Sequence, residues 1–249
     1  EDGTLRMLNC SVAEDARQGF AAVALTGAGK LELRNCMLVG GRAGIEITAG
    51  GEQSISLNNT VLYNNVGVSV LPGKAGDGKL TFNIDRCVVA APEAFNFAKV
   101  TTPIDITSSG GLYFADSLGS NFLMDRSTGK GRTWTGKKNL YDVKKWIGFQ
   151  GTPNAAIKDA KTWSRFWGDA DESGESRVVT LKIARHGSYK LDMNADEFEI
   201  SQTSQVYGNR RWSGINPIYL GPGYNFSLFR EGFDYNAWRE QTEQLASAQ

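Results

Sequence analysis

The chain has 249 residues, 41% of them hydrophobic, enough for one large core or two small ones. Its 27 Lys and Arg balance 27 Asp and Glu, which excludes a global field drawing it to nucleic acid or to an anionic membrane. Three Cys are too few for a disulfide-built scaffold, and no apolar run approaches the roughly 20 residues that cross a bilayer.

From the first residue onward the sequence repeats itself. LRMLNCSV, LELRNCML, ISLNNTVL and FNIDRCVV align on Cys10, Cys36, Thr60 and Cys87, at steps of 26, 24 and 27 residues. Five residues before each anchor stand Leu5, Leu31, Ile55 and Phe82; three before stand Met7, Leu33, Leu57 and Ile84; two after stand Val12, Leu38, Leu62 and Val89. The alternation predicts a strand with one face buried. The period slips by one at Asn9, Asn35 and Asn59, which predicts a corner, because Asn tolerates the left-handed backbone of a tight bend. A second short strand follows in GFAAVAL, GIEI, GVSV and AFNF, and then a Gly-rich turn. No helix-length segment lies inside a repeat.

Strands recurring every 23 to 27 residues with equal columns stack coil on coil, each pairing in parallel with its equivalent. The predicted fold is therefore all-β, a right-handed parallel β-helix. The Cys column reads as small buried side chains rather than metal ligands or disulfides, and Cys10 and Cys87 are three coils apart, too far to bond. The turn GKAGDGKL at Gly73 nearly spells a phosphate-binding loop, but it leads into the strand-like LTFNID instead of a helix and lacks the final Ser or Thr.

A fifth coil is expected at GLYFADSLG, with Leu112 and Phe114 in the buried columns and Ser117 at the anchor. Beyond residue 125 the pattern fades. STGKGRTWTGKK reads as an exposed basic loop, and AAIKDAKTWSRFW as an amphipathic helix placing Ile157, Ala160, Trp163 and Trp167 on one face. VVTLKIA and EFEISQT suggest that coils resume, and FDYNAWREQTEQLAS reads as a helix capping the end of the stack. The expected organisation is a single structural domain with regular coils over 1–125, a loop and helical excursion over 126–175, and irregular final coils with a helical cap over 176–249.

The repeats resemble the right-handed parallel β-helix of pectate lyases, polygalacturonases and many bacterial surface proteins. The later pattern, NLYDV with Trp146, then Trp163 and DADESGES, then NADEFEISQTSQV and LGPG before a Trp-containing tail, resembles the C-terminal region of large bacterial proteins of the serine/threonine protein kinase class. That resemblance implies a non-catalytic portion, since no HRD, DFG or Gly-rich loop with its strand Lys is present. It also implies an extracytoplasmic region of a bacterial membrane or surface protein. The chain, without an initiating Met or a signal-peptide pattern, reads as an excised portion of something longer.

The candidate sites follow from residue chemistry. Trp134, Trp146 and Trp212 are candidates for stacking on sugars or anchoring a protein partner, with burial against the β-helix as the competing use. Asp169, Asp171 and Ser173 match the first half of a calcium loop, whose twelfth position is Thr180 rather than Glu. An acid pair drawn from Asp85, Asp105 and Asp116 would suit a hydrolase or lyase of acidic polysaccharide. His186 is the single His, in an expected turn. The NCS, NNT and NFS triplets fit a glycosylation signal, the first two in the corner column. The function expected is a non-catalytic ligand-binding or spacer module for a polysaccharide or a protein partner, without nucleic acid, without membrane insertion and without a cofactor unless calcium binds. The alternative is a polysaccharide lyase or hydrolase.

Overall fold

The computed structural model describes residues 3–14, 19–73, 78–98, 100–122, 131–149 and 157–167, with shorter pieces up to 198. Among these the chain is a right-handed parallel β-helix of about five turns.

Each coil begins in the first sheet. Its strands are β1 (Gly3–Leu8), β4 (Gly29–Arg34), β7 (Gln53–Asn58), β10 (Leu80–Asp85), β12 (Ile104–Ser109) and β14 (Arg132–Lys137), closed by the two-residue β16 (Asp171–Glu172). The register is unbroken: Leu5 faces Leu31, Leu31 faces Ile55, Ile55 faces Phe82, Phe82 faces Ile106 and Ile106 faces Trp134. From Leu31 to Trp134 this inward ladder is buried. Fully burying one such side chain stabilises by roughly 1.5–3 kcal/mol, so each added coil extends a continuous core.

The corner after each of the first six first-sheet strands is left-handed. Asn9, Asn35, Asn59, Arg86, Gly110 and Lys138 take φ of 52°, 52°, 45°, 51°, 60° and 54°. Where Asn fills the corner its amide also builds a ladder: Asn35 Nδ2 donates to Asn9 Oδ1 at 3.0 Å and Asn59 Nδ2 to Asn35 Oδ1 at 2.9 Å. A buried amide that bonds the coils above and below satisfies itself while fixing register.

After the corner come β2 (Ser11–Glu14), β5 (Met37–Gly40) and β8 (Val61–Tyr63), then a further bend and a third run, β3 (Ala21–Thr26), β6 (Ala43–Thr48) and β9 (Val66–Leu71). A coil here has three strands rather than the two expected. From the fourth coil the last two runs fuse into β11 (Val88–Asn96), β13 (Leu112–Phe122) and β15 (Leu140–Phe149), which end the second sheet with β17 (Glu175–Ser176).

Two expectations are corrected. The fifth anchor is Gly111, not Ser117, because Val88 pairs with Leu112, and Leu112 and Phe114 point away from the solenoid core into a second apolar layer. The TWTGK part of the stretch read as an exposed loop is β14, with Trp134 2% exposed. Of the stretches VVTLKIA and EFEISQT, where coils are expected to resume, the described residues Val179, Leu181, Ile183 and Phe198 pack with Met193 on the outer face of the second sheet, and Ala195–Phe198 is a 3-10 turn; the rest lies outside the described residues. They cover two outward apolar columns, Met37, Val61, Val88, Leu112 and Leu140, and Val39, Tyr63, Ala90 and Phe114. Phe198 meets Tyr63 edge-on with ring centroids 5.4 Å apart.

The helical excursion is α1 (Ala160–Phe166), shorter than the expected amphipathic segment. Asp159 caps it, accepting from the Thr162 N–H at 2.8 Å. Ile157 lies before the helix and forms an antiparallel bridge with Ile147. The expected C-terminal helix lies outside the described residues.

Candidate binding face

The two sheets present different outer faces. The second sheet's is apolar over the Met37 and Val39 columns, where later residues of the chain cover it, and polar along β3 and β6, where Thr26, Glu46 and Thr48 stand outward; the first sheet's is polar. Because side chains alternate in a strand, the residues between the buried columns of the first sheet line up outward in three rows. The middle row from the third coil onward is Ser56, Asn83, Thr107 and Thr135, in direct register. Asn83, Thr107 and Thr135 are exposed and Ser56 is half-buried. Neighbouring rungs are about 4.8 Å apart, so the row offers hydroxyl and amide groups at a fixed repeat without a charge among them.

The flanking rows carry charge in partnered form. Asn58 Nδ2 donates to Asp85 Oδ2 at 2.8 Å, and Arg86 Nε approaches the same oxygen at 3.1 Å. Asp105 accepts from Thr133 Oγ1 at 2.8 Å and pairs with Lys79. The Lys79 ammonium holds the Asp105 carboxyl below its ordinary value, and Asp105 in turn raises Lys79. On the first two coils the middle row itself is charged, with Arg6 Nε and Glu32 Oε2 2.6 Å apart.

The acid pair does not assemble. Asp105 faces Thr81, four residues before Asp85 on β10, which offsets their Cα atoms by about 13 Å along the strand, and the two carboxylates bond different partners. Glycosidase pairs need roughly 5–9.5 Å. Asp116 belongs to the second sheet, where Lys144 Nζ lies 2.9 Å from its Oδ1.

The aromatic candidates are also corrected. Trp134 and Trp146 are 2% and 3% exposed, so neither can stack on a sugar. Both pack against Trp163 of α1, at centroid distances of 5.2 and 5.3 Å, closing the lower end of the core. Among the described residues the indole N–H groups of Trp134 and Trp163 meet no acceptor, and the rings contribute apolar contact area to the core. Trp212, His186, Asp169, Ser173 and the NFS triplet lie outside the described residues. Asp171 lies in β16, paired with Gly136. Among the described residues no three His, Cys, Asp or Glu side chains gather as a metal site, and no helix is long and apolar enough to cross a membrane.

Gly73 and Gly78 of GKAGDGKL have a packing role. A Cβ on Gly73 would collide with the Ala49 carbonyl oxygen, and one on Gly78 with that of Gly51, both in the coil before. The segment then enters strand β10, where a phosphate-binding loop would open a helix.

The chain matches no protein-family model, no curated protein and no solved structure.

The row of Ser56, Asn83, Thr107 and Thr135 was missed from sequence because Ser, Thr and Asn carry no motif of their own. The available signal was positional: each stands one residue after the first buried column, so aligning the repeats on that column instead of on single residue types would have displayed the row.

Proposed function

We propose that this chain is a non-catalytic β-helical binding module whose ligand is an extended hydroxyl-rich polymer, a polysaccharide, laid across the first sheet. The observation that supports this reading is the uncharged Ser56, Asn83, Thr107 and Thr135 row at strand spacing on the outer face of the first sheet, with three of its four members exposed. Repeating hydroxyl and amide groups can exchange hydrogen bonds with a repeating ligand at each rung, and rigid ladders order no side chains anew on binding. The likeness to pectate-lyase-type helices and to the C-terminal parts of large bacterial kinase-class proteins is consistent with an accessory part of a larger bacterial protein. Under that reading, phosphoryl transfer would belong elsewhere in the parent.

A glycan array probed with the purified chain, in calcium and in chelator, tests the proposal when the same wells are assayed for new reducing or unsaturated ends. Binding without cleavage supports it. Cleavage would replace it with the lyase or hydrolase reading, and silence on both counts would leave a spacer.

A further inference from the structure

The first two coils hold a pair of thiols in one corner column. Cys10 and Cys36 occupy the same position on consecutive turns: the adjacent residues Ser11 and Met37 pair in register, and the Met37 N–H donates to the Cys10 carbonyl at 2.9 Å. In-register neighbours stand about 4.8 Å apart at Cα, inside the roughly 4.4–6.8 Å that a disulfide spans. Both are free thiols in this structure. Cys36 is wholly buried, whereas Cys10 is half-buried on the outermost described coil.

The two sulfurs are also unequal. The neighbouring Cys36 side chain holds the Cys10 thiol below its ordinary value, and the same contact, with burial, pushes Cys36 upward. Cys10 is therefore the nucleophile that solvent can reach, and Cys36 the resolving thiol behind it.

We propose that Cys10 and Cys36 form a redox-closing pair that stitches the first coil to the second when a small-molecule disulfide is present. The Cys10 thiolate attacks one sulfur of the oxidant, whose S–S bond breaks and releases one thiolate. Cys36 gives up its proton and attacks the Cys10 sulfur of the mixed disulfide, releasing the second thiolate. The two protons end on the two released thiols, and two electrons pass from the Cys pair to the oxidant. The chemistry is confined to this end. Thr60 and Gly111 flank Cys87 on the neighbouring rungs, and burial pushes the Cys87 thiol up to about 12.

The test incubates the native chain with oxidised glutathione and maps its thiols by mass spectrometry without reduction. The expected product is a Cys10–Cys36 linked peptide with Cys87 free, accompanied by a higher Tm that reductant reverses. Cys36→Ser should trap glutathione on Cys10, and Cys10→Ser should leave Cys36 unmodified while folded. Glutathione retained on Cys10 of the native chain, oxidation of Cys87 at a matching rate, or three unreacted thiols would each overturn the proposal. Cys10→Ser, on the half-exposed coil, keeps the test decisive should Cys36→Ser misfold.

Discussion

Asn35 donates its side-chain amide to Asn9 one coil above at 3.0 Å and accepts from Asn59 one coil below at 2.9 Å, while its own backbone sits at φ 52°. One residue type thus meets two demands of the corner, the left-handed turn and the interior polar partner.

Asn35→Ala should therefore cost about 2–4 kcal/mol: two ladder bonds at about 1 kcal/mol each, an unpaired neighbour, and an alanine held at positive φ. Asn35→Gly should cost less, since it removes only the backbone part of the penalty. Urea unfolding of the two variants beside the native chain measures the difference.

Phe198→Ala should destabilise by roughly 3–5 kcal/mol, because Phe198 is fully buried against Tyr63 on the outer face of the second sheet. The loosened segment would expose the Met37 and Val39 columns. An apolar dye that fluoresces on exposed hydrophobic surface should bind the variant and not the native chain.

Trp134→Ala should also cost roughly 3–5 kcal/mol and leave any polysaccharide affinity of the folded fraction unchanged, since the ring points into the core. A sugar-stacking Trp would show the reverse, with affinity lost and stability kept. Calorimetric melting together with binding to an immobilised glycan separates the two.

The Asp105 carboxyl is held down by Lys79 in the folded chain, so this contact stabilises above the ordinary carboxylate value of about 3.9 and the gain is lost as pH falls through the folded value. Asp105→Asn should accordingly lose its disadvantage relative to the native chain as acid is added. Both side chains meet water, so the effect is small and salt should shrink it. Melting curves at low and high salt between neutral and acid pH report it.

The first four coils were legible because their columns hold recognisable residues: a hydrophobe at two fixed offsets and Asn or Cys at the bend. The fifth was misplaced for a physical reason. Its inner column holds Ser108, bonded to Tyr113 Oη at 2.6 Å and to Asn139 Oδ1 at 2.9 Å, and its anchor is Gly111, so neither the apolar nor the Cys signal survives. The strand directly after each corner was hidden by runs such as MLVG, which are apolar on both faces because Val179, Leu181, Ile183, Met193 and Phe198 cover the outside. That cover joins residues more than a hundred positions apart, and no local period encodes it. The Trp residues were ambiguous for the same reason: composition shows that aromatic area is present, and only packing shows which way it faces.

The most direct test of the account is polysaccharide binding by the native chain beside a Thr107→Arg variant. The substitution sits in the middle of the exposed row and should change stability by no more than about 0.5 kcal/mol. The account predicts that the native chain binds without generating new chain ends and that the folded variant does not bind. Equal binding by both proteins, or cleavage by the native chain, would contradict it.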